Sequence, residues 1–406
     1  MRSFSFLTII LLCVGILLVD VMTFYWLQSI VQLVDSKLIE IVVNVLFLLF
    51  TVALITSILV LKIKLDNISP MRKQLLISRF YGLGVLSFVP KLIFVIVFSI
   101  LYSANLLLPK EISLIVIAGV GLFSGFLPFL VILYGILKTI YRFKVYHQKI
   151  FSSLLPTAFD GVRIVQLSDL HLGSFNFNYK KVAATIDEIN ALAPDYIFIT
   201  GDVVNNYAWE LRGWDNVFNR LEAREGKFAV LGNHDYGDYS EWESEEDKEN
   251  NFQKIKEFFQ KINFTLLMNE AVLISKENEE IAIVGVENWG KPPFKQYGNL
   301  KKAMAGIDAV PYKILLSHDP THWTEKVKEK ADIVLTLSGH THGMQAAFQY
   351  KNLQWSPIKY KYKHWAGLYQ HKNQYLYVNR GFGWLGFPGR IGVRPEITLI
   401  ELKTKN

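Results

Sequence analysis

Four long apolar runs dominate the first third of the chain and predict four transmembrane helices. They extend over about residues 4–31, 39–61, 85–108 and 112–137. Each is long enough to cross the hydrocarbon core of a bilayer, which needs about 20 helical residues. A cleaved signal peptide is the alternative for the first run, but that run is longer than a signal core and no small-x-small cleavage site follows it. The pattern therefore predicts an all-α membrane domain over residues 1–141.

Apart from Glu40 at the start of the second run, two charged residues lie inside these runs. Asp20 lies inside the first run, where an intramembrane carboxylate has either a functional role or a structural polar contact. Lys91 follows Pro90 near the start of the third run, from which its side chain can extend to the interface. A transporter would need more helices and several intramembrane polar groups, and only Asp20 supports that interpretation.

The basic residues between the runs predict the orientation. Most of them lie in the second connection or after the fourth run, and they are Lys62, Lys64, Arg72, Lys73, Arg79, Lys138, Arg142, Lys144 and Lys149. The first and third connections contain only Lys37 and Lys110. The positive-inside rule therefore predicts a multi-pass protein of the inner (plasma) membrane, with both termini and the C-terminal half in the cytoplasm.

The pattern changes after the membrane domain. Residues 142–160 are basic and aromatic and predict a linker, followed by a second domain over residues 161–406. There, short β-branched runs at 162–167, 196–200, 228–231, 313–316 and 333–337 predict buried strands. Helical spacing predicts helices over 180–192, 209–223 and 251–262. The acidic run 238–249 is either an anion-repelling rim or a solvated loop and helix start.

Residues that ligate metals follow each of the five strand runs directly. They are Asp169, His171, Asp202, Asn233, His318, His340 and His342. In open sheets, ligands bind at the carboxyl ends of strands. Two adjacent divalent metals can activate a water and hold the attacking and leaving oxygens of a phosphoryl group, and carboxylates with neutral imidazoles suit such a site. The sequence therefore supplies the ligands that a two-metal site for phosphoryl chemistry needs.

Composition agrees with a membrane enzyme. Hydrophobic residues make up 51% of the chain, and the net charge of +7 belongs to residues 1–150, which contain 13 Lys+Arg against 5 Asp+Glu. The remaining residues contain 30 basic and 36 − 5, or 31, acidic side chains, so we expect no nucleic-acid partner. Cys13 is the only cysteine, which excludes an intramolecular disulfide.

The order of these motifs resembles that of the calcineurin-like metallophosphoesterase superfamily, and most closely its bacterial membrane-anchored members. The motifs are Asp169-x-His171, Gly201-Asp202, Gly232-Asn233-His234-Asp235, His318 and Gly339-His340-x-His342. The resemblance covers roughly residues 160–402. It implies an α/β fold, a four-layer αββα metallophosphoesterase sandwich, preceded in this chain by the four transmembrane helices.

The resemblance also implies how the metals are held. One ion would be bound by Asp169, His171 and His342, and the other by Asn233, His318 and His340, with Asp202 as the bridge. The ligand set suits Mn²⁺, Fe²⁺/Fe³⁺ or Zn²⁺.

Catalytic roles follow from the same resemblance. His234 would stabilise the phosphoryl group or protonate the leaving oxygen, and Asp235 would hold its ring. Asn205, where many relatives have an aspartate, is expected to contact the substrate with Arg380 and Arg390. Met344 stands where a second glycine is common and is expected to narrow the pocket.

An aromatic and basic segment follows His342. It includes Trp355, Tyr360, Lys361, Tyr362, Lys363, His364, Trp365, Tyr369, Tyr375, Tyr377, Arg380, Trp384 and Arg390. It is either a membrane-interface surface or substrate lid, or simply the region whose strands at 376–378 and 396–402 complete the second sheet.

These observations predict a membrane-anchored, metal-dependent phosphohydrolase that cleaves a phosphodiester or pyrophosphate bond. Tethering favours a phosphorylated, lipid-linked substrate, with a UDP-acylated glucosamine as the leading candidate by resemblance to membrane phosphoesterases of lipid A synthesis. The alternative is a non-catalytic sensor or scaffold that binds a phosphorylated ligand. Every ligand position is retained, which favours catalysis.

Overall fold

A computed structural model describes residues 5–64, 67–107, 114–350 and 353–405, except the side chain of Tyr350, and divides the chain into two compact units. The membrane unit contains the N-terminal helices together with Gly386–Gly389. The sandwich unit contains Lys138–Leu385 and the chain from Arg390 onwards. The division at residue 137 lies close to the predicted end of the membrane domain.

Among its described residues, the membrane unit contains four long helices, which confirms the predicted number of candidate spans. They are α1 (Phe6–Val31), α2 (Lys37–Lys64), α3 (Pro70–Leu107) and α4 (Leu114–Leu137), and each contains a window with a mean hydropathy of 2.4 or more. The helix α3 begins well before the predicted apolar run, with Pro70 in the first helical turn, a position that proline favours. The predicted limits at Phe4, Leu108 and Ile112, and the loop residue Lys110, lie outside the described residues.

A buried ion pair joins three of these helices. The Lys91 ammonium of α3 lies 2.7 Å from Asp20 Oδ1 of α1, and the Thr51 hydroxyl of α2 donates to Asp20 Oδ2. Asp20 is 2% exposed. The expectation that Lys91 reaches the interface is therefore corrected, because its charge is compensated inside the bundle. Of the two alternatives for Asp20, the structure supports a structural polar contact, because Lys91 is its specific partner.

Two six-stranded sheets form the centre of the sandwich unit. In spatial order, the first contains β1 (Lys144–Ser152), β14 (Glu396–Thr404), β2 (Arg163–Leu167), β3 (Tyr196–Thr200), β4 (Gly226–Val230) and β5 (Thr265–Leu266). The second contains β12 (Gly367–His371), β13 (Gln374–Val378), β9 (Leu335–Ser338), β8 (Lys313–Leu316), β7 (Glu279–Gly285) and β6 (Glu270–Lys276). A separate hairpin pairs β10 (Phe348–Tyr350) with β11 (Leu353–Trp355).

Alternate residues of each strand belong to different hydrophobic layers, because successive side chains point to opposite faces of a sheet. Ile164 and Phe198 pack with Ile314 and Leu337 between the two sheets. The other face of the first sheet packs on helices α5 (Tyr179–Ala191) and α7 (Glu245–Lys261). The other face of the second sheet packs on α8 (Leu300–Ala303) and the turn Trp323–Val327. This arrangement confirms the predicted α/β fold with αββα layers.

Three local predictions need correction. Residues 142–160 are not a linker, because β1 pairs in parallel with β14 along its whole length. The predicted helix over 209–223 is instead a 3₁₀ turn (Ala208–Leu211) and the single-turn α6 (Asp215–Phe218). The C-terminal strand β14 completes the first sheet rather than the second, whereas β13 does lie in the second.

Candidate metal centre

The predicted ligands lie where strands of both sheets end. Asp169 and His171 follow β2, and Asp202 follows β3. Asn233 follows β4, His318 follows β8, and both His340 and His342 follow β9. Since β2, β3 and β4 are parallel, as are β8 and β9, these carboxyl ends meet at one edge of each sheet.

Strained backbone is concentrated at these positions. Among the predicted ligands, Asp169, His171, Asp202, His340 and His342 have positive φ angles between 43° and 71°. Non-glycine residues in the left-handed region cost on the order of 1 kcal/mol or more each, and such residues cluster at functional sites. The sharp turns aim these side chains back across the strand ends.

The first cluster consists of Asp169, His171 and His342, whose ligand atoms all lie within 4.8 Å of one another. The Nε2 atoms of His171 and His342 are 3.1 Å apart, and His342 Nε2 lies 3.1 Å from Asp169 Oδ1. The Nδ1 atoms of both histidines are buried without a hydrogen-bond partner in the described part of the chain. Two imidazole nitrogens facing each other beside a carboxylate form a donor set that fits a divalent cation.

The second cluster consists of Asp202, His318 and His340. His318 Nε2 lies 3.1 Å from Asp202 Oδ2, and His340 Nδ1 lies 3.3 Å from His318 Nε2. Asn233 adds an amide oxygen 2.8 Å from His340 Nδ1. These oxygen and nitrogen donors also fit a divalent cation.

Asp202 is close to an imidazole of each cluster. Its Oδ2 atom lies 3.1 Å from His318 Nε2 and 3.7 Å from His171 Nε2, while Oδ1 accepts the His234 backbone N–H at 2.8 Å. This position is compatible with the bridging role that the resemblance implies. The assignment of each ligand to an ion stays a prediction.

Hydrogen bonds hold the imidazoles of the second cluster in place. His318 Nδ1 donates to the Thr200 carbonyl at 2.7 Å, which leaves Nε2 as the lone-pair donor. His340 Nε2 lies 2.7 Å from the Tyr362 hydroxyl, which leaves Nδ1 facing Asn233. The tautomer of each ring thus directs one nitrogen toward the cluster.

Electrostatics separate the protonation states of these rings. Burial lowers the pKa of His171 to about 3, so its imidazole is neutral and can ligate a cation. Burial also lowers the pKa of His340. Burial opposes protonation of His318, but the adjacent Asp202 carboxylate raises the pKa of His318 to about 10. A cation and a proton therefore compete for His318 Nε2.

The ring of His234 is held differently from the prediction. Its Nδ1 atom donates to the Asn205 carbonyl at 2.7 Å. Asp235, expected to hold this ring, instead accepts hydrogen bonds at 2.8–3.3 Å from the backbone N–H groups of Gly232, Asp202, Val203 and Val204. This correction follows from local geometry, because the buried Asp235 carboxylate turns toward the buried backbone N–H groups that follow β3. Asp235 therefore shapes the turn that presents Asp202.

The other predicted substrate contacts lie in the interior of the unit. Arg380 pairs with Glu396 at 2.7 Å. Arg390 is fully buried and donates to the carbonyls of Arg380, Gly381 and Gly383. The Asn205 side chain is 3% exposed and lies 3.3 Å from the Ser174 hydroxyl. These contacts show what each residue does in the fold, and substrate contact by them stays a prediction.

Three neighbours of the clusters were not singled out as site residues from the sequence. Tyr362 contacts His340, as described above, and the Tyr239 hydroxyl accepts from the Asn233 amide at 3.0 Å. Asp319 Oδ2 lies 3.5 Å from His340 Nε2. Asp319 directly follows a predicted ligand, but no sequence signal distinguished Tyr239 or Tyr362 from other aromatic residues.

Gly339 has a steric role at the same edge. A Cβ atom there would overlap the Ser168 hydroxyl and the Asp169 carboxylate. The His340 backbone N–H donates to both Asp169 oxygens at 3.0 Å. The glycine thus allows the turn after β9 to approach the turn after β2 and brings ligands of both sheets together.

Comparisons with known proteins agree with this geometry. Residues 162–344 match the calcineurin-like phosphoesterase family. The chain is 31% identical over 261 residues to the uncharacterized metallophosphoesterase YkuE of Bacillus subtilis, a match that covers 63% of this chain and 84% of that protein.

Two further relatives extend the comparison. A "transmembrane protein with metallophosphoesterase domain" of Danio rerio is 29% identical over 338 residues, with 80% of this chain and 72% of that protein covered. An uncharacterized metallophosphoesterase of Helicobacter pylori is 29% identical over 247 residues, with 60% of each chain covered. The match to the zebrafish protein is longer than the sandwich unit of this chain.

Proposed function

Because this chain belongs to the calcineurin-like metallophosphoesterase family, we propose that it hydrolyses a phosphodiester or pyrophosphate bond at the two clusters, with a divalent ion in each. The observation that carries this proposal is the pair of buried carboxylate–imidazole clusters with Asp202 beside an imidazole of each. All seven predicted ligands are present, so nothing in the donor set favours a binding-only sensor or scaffold.

The residues have distinct roles in this proposal. Asp169, His171 and His342 hold one ion, Asn233, His318 and His340 hold the other, and Asp202 contacts both. When bound, the two ions supply an activated water and neutralise phosphoryl charge.

His234 acts on the leaving group. With Nδ1 donating to the Asn205 carbonyl, its Nε2 atom is left to carry a proton to the leaving oxygen. Burial lowers the pKa of His234, but a phosphate anion beside the ring raises it again and favours the protonated form.

Asp202→Ala tests this function directly. We expect the purified full-length variant to lose Mn²⁺-dependent hydrolysis of bis(p-nitrophenyl) phosphate and to lose bound metal, measured by elemental mass spectrometry. Asp187→Ala is the matched control, since that carboxylate is exposed and pairs with Arg220. Near-wild-type turnover by Asp202→Ala with two bound ions would overturn the proposal.

The orientation is a separate part of the proposal. Basic residues flank the second connection and the end of α4, so we place the sandwich unit in the cytoplasm and the helices in the inner (plasma) membrane. A fluorescent protein that folds only in the cytoplasm, fused after Asn406, should fluoresce. Activity of a fused periplasmic alkaline phosphatase would contradict this orientation.

The substrate is proposed to be lipid-linked, such as a UDP-acylated glucosamine. Four candidate spans support this choice, because a tethered enzyme gains effective concentration only toward a substrate in the same membrane. The test compares kcat/KM, with Mn²⁺ present, for the lipid-linked pyrophosphate and its deacylated, soluble counterpart. Equal or faster turnover of the soluble compound would remove the reason for choosing a lipid.

A further inference from the structure

Exposed hydrophobic side chains of the sandwich unit are concentrated in one short segment. Among its described residues, nine large hydrophobic side chains are exposed, and five of them are Met344 (55%), Phe348 (54%), Leu353 (62%), Trp355 (40%) and Tyr360 (79%). Scattered exposed hydrophobic residues are normal, whereas a grouped set marks an interaction site. We call these five residues, with the exposed Lys359, Lys361 and Lys363, the aromatic–lysine surface.

The hairpin gives this surface a single apolar face. Phe348 is paired directly with Trp355 across the antiparallel strands β10 and β11, so their side chains lie on the same face. Leu353 precedes Trp355 by two residues and shares that face. Within the described residues, β10 and β11 form a sheet of their own, so neither six-stranded sheet covers them through strand pairing.

The segment of the chain that carries this surface has charges of one sign. Residues 333–395 contain no Asp or Glu and eight Lys or Arg residues. Lys359 lies over the Tyr360 ring at 5.3 Å and Lys361 over the Phe294 ring at 5.5 Å. Cations beside exposed aromatic and aliphatic side chains are the combination favoured in the headgroup layer of an anionic membrane.

We propose that the aromatic–lysine surface docks on the headgroup layer of an anionic lipid bilayer. A second copy of the chain is a poorer occupant, because it would place lysines against lysines. The four candidate spans among the described residues also favour a bilayer as the neighbour of this surface. The inference goes beyond the proposed function, because docking requires no hydrolysis.

The aromatic–lysine surface borders the metal centre. Met344 is two residues beyond His342, and the Phe294 ring beneath Lys361 contacts the His340 ring at a centroid distance of 4.9 Å. Tyr362, between two of the lysines, lies 2.7 Å from His340 Nε2. A docked surface would therefore bring the clusters to the phosphate layer of the membrane.

The test uses full-length protein in lipid nanodiscs. Cys13, the only cysteine, is replaced by alanine, and Leu353→Cys is labelled with the polarity-sensitive dye NBD. Leu273→Cys is the matched control, since Leu273 is 45% exposed on β6, an edge strand of the second sheet. In nanodiscs containing phosphatidylglycerol, we expect a blue-shifted emission at position 353, with quenching by brominated lipids and protection from aqueous iodide. Position 273 should show none of these changes.

Charge variants test the lipid specificity. Each lysine near an anionic surface contributes about 1 kcal/mol, so replacing Lys359, Lys361 and Lys363 by glutamine should reduce the docked-to-free ratio on the order of 100-fold. Nanodiscs of phosphatidylcholine alone should give a similar loss. Iodide quenching at position 353 equal to that at position 273 in anionic nanodiscs would overturn the proposal, as would a blue shift that occurs only when two copies share one nanodisc.

Discussion

Backbone carbonyls decide which nitrogen of two site histidines is available. Thr200 accepts from His318 Nδ1 and Asn205 accepts from His234 Nδ1, each at 2.7 Å. In both rings Nε2 is left for a ligand or a proton. The sequence motif contains the histidines but not the carbonyls that orient them, so the tautomers follow only from the fold.

Replacing His234 should impair chemistry without emptying the clusters. We expect His234→Asn to reduce kcat by roughly 10²- to 10⁴-fold, the usual contribution of a general acid, because the leaving oxygen loses its proton donor. Bound metal should remain at the wild-type level in elemental analysis. A loss of metal as large as the loss of activity would make His234 a ligand instead.

Tyr362 should matter for metal affinity rather than for chemistry. Tyr362→Phe removes the hydroxyl that contacts His340 Nε2, and loss of such a supporting hydrogen bond typically weakens metal binding about 10- to 100-fold. Metal titration of the chelated protein measures this change. Tyr375→Phe is the control, since its hydroxyl donates to the Phe151 carbonyl; an equal weakening in both variants would point to a general effect on the fold.

A buried histidine outside the clusters should make the fold sensitive to acid. Burial lowers the pKa of His322 to about 4, and its Nδ1 atom lies 2.8 Å from the Ser317 hydroxyl. The unfolded pKa is near 6.5, so the unfolded chain binds a proton that the folded chain excludes between these values. The contribution of neutral His322 to the free energy of unfolding is therefore fully present above about pH 6.5. The free energy of unfolding falls by about 3 kcal/mol as the pH drops to 4.

His322→Gln should remove that part of the acid sensitivity. Melting temperatures of the full-length protein in detergent, measured between pH 7 and 4, should fall less steeply for this variant than for the wild type. His147→Gln, which changes an exposed ring, should follow the wild-type curve. Parallel curves for His322→Gln and the wild type would contradict the assignment.

At the scale of elements, local patterns predicted most of the sandwich. Both limits of strand β3 were predicted correctly. The apolar spacing of Val182, Ile186 and Ile189 predicted α5. Both signals come from residues that are close together in the sequence. Strand β1 was missed because its pairing partner β14 begins more than two hundred residues later. Its basic and aromatic composition suits an edge strand as well as a linker.

The candidate site was predictable for a similar reason. Each ligand directly follows a strand, and its motif is local. The role of Asp235 was not predictable, because the N–H groups that donate to its carboxylate belong to the end of another strand. The partner of Asp20 was missed since Lys91 lies on a different helix, and sequence spacing does not show which helices touch.

The ion pair between α1 and α3 should stabilise the bundle only when both partners are present. Asp20→Asn leaves the Lys91 charge unpaired, and breaking a buried pair costs about 3–5 kcal/mol. The double variant Asp20→Asn/Lys91→Met should be less destabilised than Asp20→Asn alone. Additive losses would show that the two side chains act independently.

Cys13 provides a measurement restricted to this bundle. It is the only cysteine of the chain, it is 8% exposed, and it packs with Ile16, Leu54 and Ile58. The temperature at which a fluorogenic maleimide reacts with Cys13 therefore reports opening of the membrane unit, without a contribution from the sandwich unit.

For the whole molecule, the sequence predicted two units, and the family resemblance, rather than composition or spacing, predicted the layers of the second unit. The four spans follow from length and hydropathy alone. The two-sheet core does not, because it depends on which strands become neighbours after folding. A short stretch, Gly386–Gly389, even belongs with the helices although the chain on both sides of it belongs to the sandwich.

The clusters take their ligands from both sheets. Asp169 and His171 come from the first sheet and His342 from the second, and the other cluster is divided in the same way between Asp202 and His318. An ion bound at either cluster would thus link two layers that also meet through apolar contacts and a small number of hydrogen bonds. At a free concentration 100 times its Kd, such an ion stabilises the folded chain by about 2.7 kcal/mol.

The supply of metal should therefore determine the half-life of the protein as well as its rate of turnover. Loss of one such ion would raise the fraction of chains opened between the sheets about 100-fold and expose interior residues such as Phe198 to proteases. We expect a chelator to shorten the half-life of the wild-type protein in cells. The half-life of Asp202→Ala, already short, should not respond. In a cell short of metal, protein without bound ions would therefore be degraded and would not accumulate.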